Sequence, residues 1–254
     1  MGPPRGDDPP LRRAFADVTS LPRALLLDLD DTILDAHRNP DEAWVRVCRE
    51  FAGRVGAPSP EALHAAVLES RDWIWGDPER SRRARLNMTG TRREIVRRAL
   101  RRLEVSYSPA AEAMADRFTA LRHEAIRLFP DATDTLRRLK DAGVRLGLLT
   151  NGNAASQRGK VARFGLEPFF DHIQIEEEFG VGKPDVRAFR NALAALDAEP
   201  AEAWMVGDNL EADILGAQQV GIHAVWMDAG EAGLPEGSTI RPDRIVHSLS
   251  ELLS

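Results

Sequence analysis

Four short segments of this chain carry side chains able to do chemistry together. The first, Asp28-Leu29-Asp30-Asp31-Thr32, closes the apolar run Ala24-Leu25-Leu26-Leu27. Side chains alternate along an extended chain, so Asp28 and Asp30 point to the same side. Carboxylates so close repel unless a cation lies between them or one holds a proton. Magnesium suits carboxylate and carbonyl oxygens together with the oxygens of a substrate phosphate. The second segment, Thr150-Asn151-Gly152-Asn153, sets a hydroxyl, an amide and backbone N–H groups at a helix entrance, the makings of an anion site. Taken alone, it reads as a helix N-cap beside a glycine turn.

The third segment, Gly180-Val181-Gly182-Lys183-Pro184-Asp185, puts Lys183 just before a helix whose first position suits Pro184. Of 34 basic residues only Lys140, Lys160 and Lys183 are lysines, so a lysine in a motif stands out from the arginine background. The fourth segment is Gly207-Asp208-Asn209-Leu210-Glu211-Ala212-Asp213. Asp208 ends an apolar strand, and Asp213 falls in the first turns of the next helix, where the dipole alone favours an acid.

The elements that must position these segments follow from periodicity. Short continuous apolar runs at 24–27, 144–149, 203–206 and 223–226, with weaker ones at 172–175 and 244–246, read as strands buried on both faces. Helical patterns at 131–142, 155–164, 185–196 and 211–219 alternate with them. That alternation predicts an α/β fold with a Rossmann-like, doubly wound parallel sheet, which binds ligands at the carboxyl ends of its strands. Residues 35–123 hold no strand pattern and read as helices at 42–55, 60–75, 92–103 and 109–126. A crossover needs only about a dozen residues, so this stretch is an inserted α-helical domain.

Composition narrows the function further. With 43% apolar and 29% charged residues the chain is globular, and a net charge of −6 argues against nucleic acid as a partner. The single cysteine, Cys48, excludes an internal disulfide and a multi-cysteine zinc site, and reads as a small apolar residue. No apolar run is long enough to span a membrane. The first ten residues, rich in Pro, Gly and Asp, lack the apolar stretch of a secretory signal and read as a disordered tail on a cytoplasmic protein.

The four segments, in this order and at these strand ends, resemble the motifs of the haloacid dehalogenase superfamily. The insertion after the first motif is similar to that superfamily's helical type 1 cap. The fuller wording, Leu148 to Gly152 through Gln157-Arg158 to Lys160, and Met205 to Ile214, resembles its N-acylneuraminate-9-phosphatase and pyrimidine 5′-nucleotidase-like branch. The resemblance implies a tail at 1–20, a core at 21–34 and 127–254, and a cap at 35–126. It implies that Asp28 is the nucleophile forming an aspartyl-phosphate, and that Asp30 is the general acid and base. Thr150, Asn151 and Lys183 bind phosphate on this reading. Mg2+ is held by Asp28, the Asp30 backbone carbonyl and Asp208, with Asp213 orienting that set.

The implied activity is hydrolysis of a small phosphorylated metabolite, a nucleotide or sugar phosphate. Dehalogenases lack an acid at the position of Asp30, and the insertion carries no lysine for the Schiff base of similar phosphonatases. A phosphomutase, which usually carries glycine in place of Asp31, and a catalytically silent phosphate-binding regulator are the alternatives. Trp73, Ile74 and Trp75 precede an arginine-rich run from Arg80 to Arg102. Some of these side chains could bind an anionic substrate group and stack on a ring. For any one of them the preferred reading is a solvated helix face with the tryptophans packed between helices. His37 and His123, near the two hinges, read as structural or surface residues.

Overall fold

The computed structural model of the protein describes residues 21–36 and 40–254, so the expected tail and His37 lie outside the described residues. In chain order, strand β1 (Ala24–Leu27) is followed by the short β2 (Leu34–Asp35). Five helices come next: α1 (Pro40–Val55), α2 (Pro60–Trp75), α3 (Pro78–Leu86), α4 (Met88–Arg102) and α5 (Pro109–Ala125). The chain returns through β3 (Arg127–Leu128), α6 (Ala132–Asp141), β4 (Arg145–Thr150), α7 (Ala154–Arg163), β5 (His172–Ile175) and the one-turn α8 (Glu176–Phe179). It ends with α9 (Val186–Ala195), β6 (Ala203–Gly207), a π-helical segment (Leu210–Leu215) running into α10 (Gly216–Val220), β7 (His223–Met227) and β8 (Arg244–Val246).

Six strands form a parallel sheet in the order β5-β4-β1-β6-β7-β8. Its central strand, β1, is buried along its whole length, and the alternation of its side chains splits the core in two. Leu25 and Leu27 join Leu146, Leu148, Leu136 and Val161 beneath α6 and α7. Ala24 and Leu26 join Met205, Phe189, Leu193 and Ile214 beneath α9 and α10. The connections run outward in opposite directions from β1, so the crevice opens at the carboxyl ends of β1, β4 and β6.

The five inserted helices carry their own core, built on Trp44, Val47, Phe51, Leu63, Val96 and Met114. Cys48 lies inside it, and burial pushes its thiol up to about 12, so it packs as an apolar group. The antiparallel pair β2–β3 carries the chain into and out of this cap. Asp31, in the turn before β2, takes a left-handed φ of 57°, and its Oδ1 accepts the Ala36 N–H at 3.0 Å.

Four sequence expectations change. Helix α3 had no periodic signal, because its sequence PERSRRARL buries only Ala84; Asp77 and Pro78 start it by capping. Pro184 does not open α9. Asp185 is the cap, accepting from Arg187 N–H at 2.9 Å, and Pro184 lies before it after a cis peptide bond. The segment expected at 211–219 as one α-helix begins as a π-helical turn. Trp73 and Trp75 are exposed rather than packed between helices, with Trp73 between the guanidinium groups of Arg80 and Arg98 at 4.1 and 3.6 Å.

Leu26, with no exposed surface in the strand under the site, tests the core. Leu26→Ala is expected to lower unfolding stability by about 3 kcal/mol, measured by urea denaturation. A loss under about 1 kcal/mol would mean that the face beneath α9 relaxes to fill the space.

Candidate active site

Asp28 follows the last residue of β1, and its N–H bonds to the Val206 carbonyl at 2.9 Å, which pins it beside β6. Lys183, on the loop before α9, reaches in from the far side of β4. Its Nζ lies 2.6 Å from Asp28 Oδ1 and 2.6 Å from Asp213 Oδ1, with only 2% of the lysine side chain exposed. Asp208 stands just beyond β6, and single carboxylate oxygens of Asp28, Asp208 and Asp213 lie within 4.8 Å of one another. Gly207 is required here, because an added Cβ would collide with the Asp213 carboxylate.

Three carboxylates against one ammonium leave negative charge in excess. Burial pushes Asp28 up to about 7 against the pull of Lys183, with Asp213 adding to the rise. Burial, then Asp28 and Asp213, push Asp208 up to about 8. Burial opposes the Lys183 ammonium, yet Asp213 and Asp28 hold its pKa above the ordinary lysine value. Asp213 Oδ1, buried, has the Lys183 ammonium as its partner at 2.6 Å, an ammonium it shares with Asp28. An all-oxygen set of three carboxylates with a single ammonium between them fits a hard divalent cation.

Thr150, the last residue of β4, is buried, and its Oγ1 accepts from Gln157 Nε2 at 2.6 Å. The Asn151 side chain is engaged by the Lys183 backbone. Its amide donates to the Lys183 carbonyl at 2.7 Å and accepts the Lys183 N–H at 2.8 Å, clamping the lysine's backbone. Asn153 caps α7, as the N-cap reading had it, and two N–H groups of this entrance are taken by the protein's own acids. Gly152 N–H donates to Glu176 at 3.0 Å and Ala154 N–H to Glu177 at 2.7 Å.

Asp30 stands apart from this cluster. Lys160 Nζ donates to both of its oxygens, at 2.8 and 2.6 Å, and Gln157 Nε2 donates to Oδ2 at 3.2 Å. Gln157 and Lys160 sit three residues apart on one face of α7, and Lys160 Nζ also donates to Gln157 Oε1 at 2.8 Å. These two residues had no assigned role in the sequence reading. The scarcity of lysine was the available signal for Lys160.

The cap covers the strand ends and leaves a cleft of about 1150 Å³ between the two halves. Arg85 of α3 crosses it. Its guanidinium makes a bidentate pair with Glu176, at 2.8 and 3.0 Å, and the same Glu176 Oε2 accepts from Gly152 N–H. A buried core carboxylate thus ties the cap to the loop after β4. Sequence alone carried no sign of this pair, whose members are 91 residues apart.

A family model described as haloacid dehalogenase-like hydrolase matches residues 22–221. The chain belongs to this family. Phosphoserine phosphatase of Thermus thermophilus is 35% identical to this haloacid dehalogenase-like chain over 249 residues, covering 91% of the chain and 97% of that protein. Glyceraldehyde 3-phosphate phosphatase of Pyrococcus furiosus is 42% identical over 135 residues, 52% of the chain and 55% of that protein, so the match spans about half of that relative. In fold, the chain superposes with a TM-score of 0.69 on the HAD-hydrolase YfnB of Bacillus subtilis, at 24% identity, covering 92% of this chain and 97% of that one.

Arg85→Met would leave Glu176 buried with the Gly152 N–H as its remaining partner among the contacts described above. The expected loss is about 3 kcal/mol of cap-to-core closure, seen as faster hydrogen exchange in α3 and at Gly152. Unchanged exchange at both places would show that the pair does not hold the cap.

Proposed function

We propose that the protein is a magnesium-dependent phosphatase hydrolysing a small phosphorylated metabolite through an aspartyl-phosphate on Asp28. The observation that carries this reading is the different setting of two neighbouring carboxylates. Asp28 lies in the buried cluster with Lys183 and Asp213, whereas Asp30 is held outside it by Lys160 and Gln157. Two acids in unlike environments can divide the work of nucleophile and acid–base.

In the first step an Asp28 oxygen bonds to phosphorus as the ester oxygen departs, and Asp30 gives that oxygen its proton. In the second, Asp30 takes a proton from the water that cleaves the acyl phosphate, which frees inorganic phosphate and restores Asp28. Thr150 Oγ1 and Lys183 Nζ neutralise charge on the phosphoryl oxygens as it spreads. Asn151 acts here through the Lys183 backbone it clamps.

Asp28, the Asp30 carbonyl and Asp208 would hold the magnesium, with Asp213 beside them. When bound, the ion offsets the surplus carboxylate charge and polarises the phosphoryl group. The domain division that goes with this reading is a core of 21–34 and 127–254 under a cap of 35–126. Relatives at 42% and 35% identity whose names state phosphatase activity support the reaction class, and their differing substrates leave the leaving group open. Among the described residues no helix is long and apolar enough to cross a membrane.

Asp28→Asn is expected to cut kcat on p-nitrophenyl phosphate by at least about a thousandfold while circular dichroism stays unchanged. Retained turnover would remove Asp28 from the nucleophile's role.

Magnesium should also leave a pH signature. Asp28 and Asp208, raised to about 7 and about 8, sit above the ordinary carboxylate value. In the metal-free protein the stability linked to them is fully present below the ordinary carboxylate value of 3.8 and is lost progressively as pH rises from there through 7 to 8. A cation that pairs the ionised forms cancels that loss. The rise in Tm on adding magnesium is therefore expected to be larger at about pH 9 than at about pH 5. Equal increments in calorimetry would place the ion away from these acids.

A further inference from the structure

The cap lines the cleft with Arg71, Arg82, Arg85, Arg92 and Arg122. Four of the five are accounted for. Arg71 pairs with Asp41 and with Asp72, and Arg85 pairs with Glu176. Arg122 donates to the Ala36 carbonyl and stands in the field of Asp31, Asp35 and Asp30. Arg82 is exposed to water.

Arg92, in α4, is different. It is half-buried, no carboxylate among the described residues lies within salt-bridge distance of it, and its Nε is a buried donor without a hydrogen-bond partner. Its guanidinium lies 5.6 Å from the ring of Phe118, which is itself stacked on Trp44 at 3.7 Å. Burial and the like charge of Arg122 lower its pKa to about 10, so it remains a cation at neutral pH. A desolvated cation beside another cation, with no carboxylate partner, is a costly arrangement unless an anion completes it.

Its place in the cleft says which part of a ligand would do so. His123 stands in the fields of both Arg92 and Lys160, and Lys160 is the residue that holds Asp30. Arg92, His123, Lys160 and Asp30 all line the same cleft, so Arg92 belongs to the cap wall facing the space where the leaving group departs in the proposed reaction. The aromatic wall lowers the local dielectric and strengthens the guanidinium's attraction for an oxyanion. A neutral ring could stack on Arg92, but it would leave the charge unanswered.

We propose that Arg92 receives a second anionic group, a carboxylate or a second phosphate, on the leaving portion of the substrate. The substrate class is then a phosphomonoester carrying two anions, and this rests on the phosphatase reading of the site. Two matched pairs of probes separate the sources of the anion. Glycerol 3-phosphate and 3-phosphoglycerate differ by a carboxylate; propyl phosphate and 1,3-propanediol bisphosphate differ by a phosphate.

For the wild-type enzyme with magnesium, kcat/KM is expected to favour the member of one pair that carries the second anionic group by about tenfold or more. Arg92→Gln should collapse that ratio through KM, and Arg92→Lys should keep part of it, because the charge survives without the planar fork. Should Arg92→Gln fail to fold, the wild-type ratio and the lysine variant carry the same test. A wild-type ratio near one for both pairs would overturn the proposal, as would an equal loss on both members of the favoured pair in Arg92→Gln. Release of phosphate from p-nitrophenyl phosphate without preference in either pair would sink this inference alone. No release from any probe would sink the phosphatase reading together with it.

Discussion

One buried ammonium organises this molecule. Lys183 Nζ lies 2.6 Å from both Asp28 and Asp213, and its side chain has almost no contact with water. Removing such ions from water costs several kcal/mol each, so the arrangement survives only if geometry restores the loss. Much of the surrounding structure is devoted to that geometry. Asn151 grips the Lys183 backbone from both ends of its amide. Gly182 lets Asn151 and Glu176 approach, since an added Cβ would meet them at 2.5 and 2.7 Å. Gly207 does the same for Asp213 on the opposite side. The parallel register of β4, β1 and β6 brings these loops to one edge of the sheet.

Charge compensation also explains how the helix entrance after β4 is used. In many parallel α/β sites the helix dipole and its first N–H groups receive an anion directly. Here Glu176 and Glu177 take the N–H groups of Gly152 and Ala154. The positive charge near Asp28 therefore comes from a lysine side chain carried by a different loop. Glu176 gains a further duty from this placement, because its other hydrogen bonds come from Arg85 of the cap. Closure of the cap and the shape of the loop after β4 share one carboxylate, so a change in one is felt by the other.

The cap separates two kinds of cation. Most arginines along its inner wall are bound to acids or carbonyls and serve its architecture, as Arg71, Arg85 and Arg122 do. Trp73 likewise turned out to be a surface platform between two guanidinium groups rather than part of the cap core. Composition could not distinguish these arginines from Arg92, because partners are assigned by packing and not by spacing.

The α/β alternation, the insertion and the four segments were legible in the sequence, three of them at strand ends and that of Lys183 on the loop between α8 and α9. Each rests on local rules: buried strands read as apolar runs, and chemistry follows their carboxyl ends. Helix α3 was not legible, since a helix started by its cap and burying only Ala84 shows no apolar stripe. The contacts that set the site apart were likewise out of reach: Lys160 on Asp30, Asn151 on Lys183, and Arg85 on Glu176. These pairs are 130, 32 and 91 residues apart. Local sequence determined which acids and which lysine could act; only tertiary packing decided which charge answers which. A hydrogen bond depends on distances of a few tenths of an ångström between groups that the chain itself places far apart.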